Sequence, residues 1–168
     1  MSAQGMDETQ ARAADEARSR FVERFAAELV EAGMTRMPAR VFAALLASDS
    51  GALTSAELGG QLQVSPAAVS GAVRYLTQQH MVTREREPGT RRDLFRVHSN
   101  QWYEALTNRD SVLNRWRGTL KEGVDSLGED TPAGRRIYET LAFFDFVQSE
   151  MTEVMGRWRE HRKTLDLD

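Results

Sequence analysis

Ser65, Ser70, Arg74, Arg91 and Arg92 are the residues whose types and spacing could do chemistry. They stand among small neighbours, Pro66, Ala67 and Gly71, that leave a backbone unshielded. Hydroxyls donate and accept hydrogen bonds. An arginine fork meets a phosphate or a guanine edge with two parallel bonds, which lysine cannot match. The chemistry on offer is therefore recognition of a polyanion rather than bond making. Residues 35–100 hold eight arginines, no lysine and five acidic side chains, a net charge of +3. The flanking stretches, 1–34 and 101–168, are each at −3, and so is the whole 168-residue chain. An acidic average thus hides a basic middle.

Other chemistries find little support. There is no cysteine, so disulfides, thiolate metal sites and thiol nucleophiles are absent. His80, His98 and His161 are isolated from one another and lack the spacings of metal motifs. No glycine-rich phosphate loop or nucleophile elbow occurs, and the carboxylates are scattered. The sequence predicts a protein that is not an enzyme and needs no cofactor or metal. No apolar run is long enough to span a membrane, and residues 1–8 have neither a basic nor an apolar leader segment. A cytoplasmic protein with no membrane partner is the expectation.

The elements that must position the arginines are mostly helices. The spacing of Ala14, Phe21, Phe25 and Leu29 predicts a helix over about 7–32, with Ala17, Val22 and Val30 beside the stripe and Gly33 closing it. Val41, Phe42, Leu45 and Leu46 predict a second helix over about 38–49, opened by Pro38. Thr54 and Glu57 form a capping-box signature for a short helix that ends near Leu62. Val64 and Ser65 turn the chain; Ser65 caps and Pro66 opens a helix to about Gln79, with Val69, Val73 and Leu76 on one face. The period then changes. Residues 81–86 and 94–97 read as two strands around a polar tip, Glu87–Asp93, that includes Arg91 and Arg92. Two long helices follow, over 102–127 and 132–161. Leucines recur every seventh residue at 106, 113, 120 and 127, as do Ile137, Phe144, Met151 and Trp158.

This order is that of a winged helix-turn-helix: a mainly α fold with a small β-hairpin, flanked by long helices. Three regions follow: an N-terminal dimerisation helix over 1–34, a winged helix-turn-helix over 35–100 that binds double-stranded DNA, and C-terminal dimerisation helices over 101–168. At 1.5 Å per residue the terminal helices span roughly 39 and 45 Å, longer than a compact monomer of this size covers, so a homodimer is expected. The predicted DNA contacts are Ser65, Pro66, Ala67, Ser70, Gly71 and Arg74 in the major groove and Arg91 and Arg92 at the wing. Trp102, Tyr103 and Trp116 fit two readings: plain core packing, or an aromatic junction that binds a small-molecule effector.

Leu53-Thr54-Ser55-Ala56-Glu57-Leu58, Val64-Ser65-Pro66-Ala67-Ala68-Val69-Ser70, Val73-Arg74-Tyr75-Leu76 and Met81-Val82-Thr83-Arg84 resemble the MarR-type transcriptional regulators. The wing, Arg84–Asp93, is similar to their GbsR-like branch. The resemblance implies a dimeric repressor with a ligand pocket between its dimerising and DNA-binding parts. The sequence departs from the family where His80 stands in place of glycine, and at the wing, where Gly89-Thr90 precede the arginines and Asp93 follows them. Two other readings fit the same residues: a DNA-binding factor without a ligand, and a winged helix that contacts only protein.

Overall fold

The computed structural model describes residues 3–86, 89–90, 92–97 and 110–165. Arg91, Trp102, Tyr103 and Leu106 lie outside the described residues. The chain forms two compact units, Met1–Ala105 and Leu106–Asp168.

The first unit is organised around a helix that is apolar on nearly every side. Helix α1 runs Ala3–Glu31, α2 Arg36–Leu46, β1 Ala52–Thr54, α3 Ser55–Leu62, α4 Pro66–Gln78, β2 Thr83–Arg86 and β3 Asp93–Arg96. In α2 the run Ala39, Val41, Phe42, Ala43, Ala44 and Leu45 is fully buried. A helix buried all round must be central, and α2 packs against α1, α3 and α4. Leu58, Leu62, Val69, Val73, Leu76, Met81, Val82 and Phe95 complete this core. Leu58 and Leu62 of α3 thus share one core with Val69, Val73 and Leu76 of α4, and Val64 is half-buried beside them.

Several boundaries differ from the sequence expectation. Helix α2 begins at Arg36, with Thr35 as its N-cap, so Pro38 sits third in the helix rather than first. Proline is tolerated there because the first-turn N–H groups have no partner within the helix. The helix also stops at Leu46 instead of running on to 49. Gly51 then adopts φ +63° and delivers the chain into β1. That strand is absent from the sequence expectation: Ala-Leu-Thr is too short to show an alternation. It exists because β3 offers it an edge, with Leu53 opposite Phe95. The sheet order is β1-β3-β2, all antiparallel, and Arg84 pairs with Phe95 on the other side. Met81 and Val82 are buried ahead of β2 rather than being part of it.

On α1 the inward residues are Val22 and Ala26, flanked by half-buried Phe25 and Leu29. Phe21 stays 44% exposed and stacks on Phe25 with ring centroids 5.6 Å apart. Ala14 and Ala17 are exposed as well. The apolar stripe read from the sequence is thus only partly consumed by this chain's own core.

The second unit is a helical hairpin of α5, Asp110–Leu127, and α6, Pro132–Lys163. The expected helix over 102–127 is described from residue 110 onward. Gly128 ends α5 at φ +80°. Thr131 caps α6 by accepting from the Gly134 N–H at 3.0 Å, and Pro132 is the first helical residue, as expected. A Cβ on Gly134 would collide with the Gly128 carbonyl oxygen, so only glycine fits this crossing. Val124 and Met155 are buried, while Leu113, Leu120, Ile137, Leu141, Phe144 and Met151 are half-buried. Leu127 and Trp158, the last members of the two sevenfold series, remain largely exposed.

Candidate nucleic-acid interface

The site begins with two local signals that the structure realises as expected. Thr54 accepts from the Glu57 N–H, and a Glu57 carboxylate oxygen accepts from the Thr54 N–H at 2.7 Å, closing a capping box over α3. Hydrogen bonds from the Thr54 backbone and hydroxyl hold the Glu57 carboxyl below the usual glutamate range. At the other end Gln63 takes the left-handed conformation, φ 53°, and Val64 N–H returns to the Gly59 carbonyl at 3.0 Å. The chain then reverses into Ser65, whose hydroxyl accepts from the Ala68 N–H at 3.3 Å. That bond uses the Ser65 oxygen as a helix cap. Its hydroxyl hydrogen still offers a donor.

Helix α4 sorts its residues by face. Val69, Ala72, Val73 and Leu76 are buried. Ala67, Ser70, Gly71 and Arg74 are all exposed, at spacings of three, four and seven that place them on one outward stripe. Pro66 stands exposed at the head of that stripe. A Cβ built on Gly71 meets nothing within 4 Å. The helix therefore presents a smooth, low surface whose guanidinium, Arg74, stands two turns from the start, the shape that lets a helix lie deep in a major groove. The positive end of the helix dipole, at its N-terminus, adds a place for a phosphate.

The wing follows His80, which takes the left-handed conformation, φ 56°. Arg84 and Arg86 on β2 are exposed or half-exposed at its edge, and Arg92 is exposed. Arg84 donates to Asp93 at 2.6 Å across the hairpin. This bond lowers the Asp93 carboxyl and raises the Arg84 guanidinium relative to their usual ranges. Asp93 therefore braces β2. Arg96 is tied to Glu85 at 3.1 Å and donates to the Ser50 carbonyl at 3.0 Å, which locks β3 to both neighbours. Sequence reasoning missed Arg84 and Arg86. Their alternation in Thr-Arg-Glu-Arg was the signal for an outward basic edge. Near the tip the Arg92 N–H bonds to the Thr90 hydroxyl at 3.1 Å, and its charge is felt by Glu57. Arg91, the other tip arginine, lies outside the described residues.

Of the three aromatics proposed for the junction, the structure describes Trp116. Trp116 is 52% exposed on α5 and packs against Phe144 of α6, centroids 5.8 Å apart. Trp102 and Tyr103 lie outside the described residues. Among the described residues no group of three acidic, histidine or cysteine side chains could hold a metal ion. No described helix is long and apolar enough to cross a membrane.

Comparison with known proteins falls on both parts of the chain. Residues 32–93 match the model of the MarR family. Residues 100–161 match the model of the MmpR5-like MarR family transcriptional regulators. Family models and fold together support a MarR-family winged-helix transcriptional regulator. The family is one of transcription regulators, not of enzymes. Among solved structures, the chain is similar to one described as a transcriptional regulator, at 24% identity and a TM-score of 0.73, covering 86% of this chain and 99% of that one. That likeness shows the fold. YusO of Bacillus subtilis aligns at 23% identity and a TM-score of 0.39, over 69% of this chain and 84% of its own. MepR, a transcription regulator of the Staphylococcus aureus multidrug efflux pump MepA, aligns at 15% identity and 0.40, over 89% and 98%. No curated protein sequence matches.

Proposed function

We propose that the chain is a sequence-specific DNA-binding regulator that acts as a homodimeric repressor and is released from its operator by a small-molecule effector. The observation that carries this reading is the outward stripe of α4, where Ala67, Ser70, Gly71 and Arg74 are exposed beside a capped helix N-terminus. The centre of a surface that binds protein is enriched in aromatic side chains and methionine. This one offers small residues and a cation, and the wing adds Arg84, Arg86 and Arg92. In this reading Ser65, Pro66, Ala67, Ser70, Gly71 and Arg74 face the major groove, while Arg91 and Arg92 reach phosphates or the minor groove.

Exposed aromatics support the dimer. Phe143 and Phe146 are 59% and 62% exposed, and Tyr138, Val154 and Trp158 are also uncovered within the second unit. With Phe21 on α1 they give both terminal segments apolar surface for a second copy to bury. The division into 1–34, 35–100 and 101–168 follows from that role. Trp102, Tyr103 and Trp116 are the proposed effector contacts, and the wing's likeness to the GbsR-like branch is part of the same reading.

Selection of bound genomic fragments, followed by gel shift of the recovered duplex, tests the proposal. Retarded, competitor-resistant complexes support it, and loss of retardation on adding an effector supports the release step. Failure to enrich any fragment over random DNA refutes sequence-specific binding.

A further inference from the structure

One arginine of the basic middle segment points away from the α4 stripe and into the joint between helices. Arg40 of α2 is mostly buried, its side chain 18% exposed. Its Nε and a terminal nitrogen both donate to one carboxylate oxygen of Glu23 on α1, at 2.9 and 2.6 Å. The same terminal nitrogen donates to the Leu62 carbonyl at 3.3 Å. Leu62 is the last residue of α3. Its carbonyl cannot be met in the usual helical way, because the chain turns left-handed at Gln63 and the residue four positions on is Pro66, which has no N–H. A cation at a helix C-terminus is also favoured by the helix dipole. Three residues beyond that carbonyl stands Ser65, the cap of the recognition helix.

We propose that Arg40 is a positioning residue for DNA recognition: by bridging Glu23 of α1 to the Leu62 carbonyl it fixes the turn from which α4 starts. The inference rests on the DNA-binding reading above. Among the described residues the guanidinium's hydrogen bonds go to Glu23 and Leu62, not to the outward stripe of α4, so its action on DNA is indirect. It also gives α1 a direct polar connection to the helix-turn-helix turn. A shift of α1 that carries Glu23 with it pulls on the group that holds Leu62.

The test uses the full chain and the duplex it selects from genomic fragments, alongside a random duplex of equal length. Arg40→Met keeps the aliphatic stem and removes every donor. Glu23→Gln keeps Arg40 and its reach to Leu62 but removes the anion that orients it. Affinities are read well below each variant's melting temperature, so that a merely structural role leaves the folded protein's preference unchanged. Arg40→Met is expected to lower the ratio of specific to random affinity by about tenfold, within the usual range of coupling between separate sites. Random-duplex affinity and its salt slope should stay at the wild-type level, because the phosphate-contacting arginines are untouched. Glu23→Gln should lower the ratio in the same direction by a smaller factor. A wild-type ratio in folded Arg40→Met overturns the proposal. Where that variant does not fold, a wild-type ratio in Glu23→Gln overturns it. Failure of the wild-type chain itself to prefer any duplex is a different result and refutes the DNA-binding reading instead.

Discussion

Gly71 separates folding from DNA binding more cleanly than any other position on α4. It lies in the helix interior, outside the positive-φ set, with nothing within 4 Å of where a Cβ would stand. Glycine there costs the helix about 0.8–1.0 kcal/mol relative to alanine. Gly71→Ala should therefore raise stability by roughly 0.5–1 kcal/mol, since the new methyl meets no neighbour. For a chain of this size that is a rise in melting temperature of about 1–4 °C. Leucine is almost as good a helix former as alanine, so Gly71→Leu should also fold without loss. Its side chain, however, would stand on the outward stripe between Ser70 and Arg74, where the proposed DNA reading brings the backbone to the groove floor. Operator affinity should fall at least tenfold, a loss of about 1.4 kcal/mol. Urea titrations with an unchanged slope would give the stabilities, and fluorescence anisotropy with labelled duplex the affinities. A Gly71→Leu protein that is as stable as wild type and binds its duplex as tightly would refute the placement of this stripe in the groove. A destabilised Gly71→Ala would refute the reading of open space.

Three further outcomes follow from the geometry. Gly134→Ala drives a methyl into the Gly128 backbone and should destabilise the α5–α6 hairpin severely, visible as a missing or lowered unfolding transition. Thr54→Ala opens the capping box and should cost about 1 kcal/mol at neutral pH. The Glu57 part of that cap has a lowered carboxyl pKa, so its contribution is complete above the ordinary glutamate range and is lost as pH falls through the lowered value. The gap between wild type and Thr54→Ala should accordingly narrow in acid, as chemical denaturation at several pH values would record. Light scattering of the wild-type chain should give twice the chain mass at micromolar concentration, and Phe146→Glu should shift it toward the monomer while circular dichroism stays helical, because Phe146 is largely exposed within its own chain.

Much of the winged helix was legible because its signals are local. Thr54 with Glu57 and Ser65 with Pro66 each act within one turn of chain, and each pair stands where the sequence placed it. The outward stripe of α4 was legible for the same reason, since helical spacing alone separates Ala67, Ser70, Gly71 and Arg74 from Val69, Val73 and Leu76. What escaped depends on partners distant in sequence. Strand β1 is defined by its pairing with β3, some forty residues further along the chain. Arg84 finds Asp93, and Arg40 finds Glu23 and Leu62, only after the chain has folded. Periodicity also shows which residues share a face without showing what covers it. Phe21 belongs to the apolar series of α1 yet is exposed, and the sevenfold leucines at 113 and 120 are half-buried where the exposed aromatics of α6 are not.

Sequence reading by α4 and backbone holding by the wing are the two halves of the DNA-binding account. Titration of the wild-type chain, Arg74→Ala and Arg92→Ala with the selected duplex and a random duplex, at several salt concentrations, tests both most directly. Arg74→Ala should narrow the gap between the two duplexes, by about 1–3 kcal/mol for each bidentate base pairing that the arginine made. Arg92→Ala should weaken both duplexes alike and make the salt dependence shallower by about 0.9 in the logarithmic slope for each phosphate no longer neutralised. Equal affinity of the wild-type chain for both duplexes, or an Arg74→Ala protein that keeps the full gap together with an Arg92→Ala protein that keeps the full slope, would contradict the account.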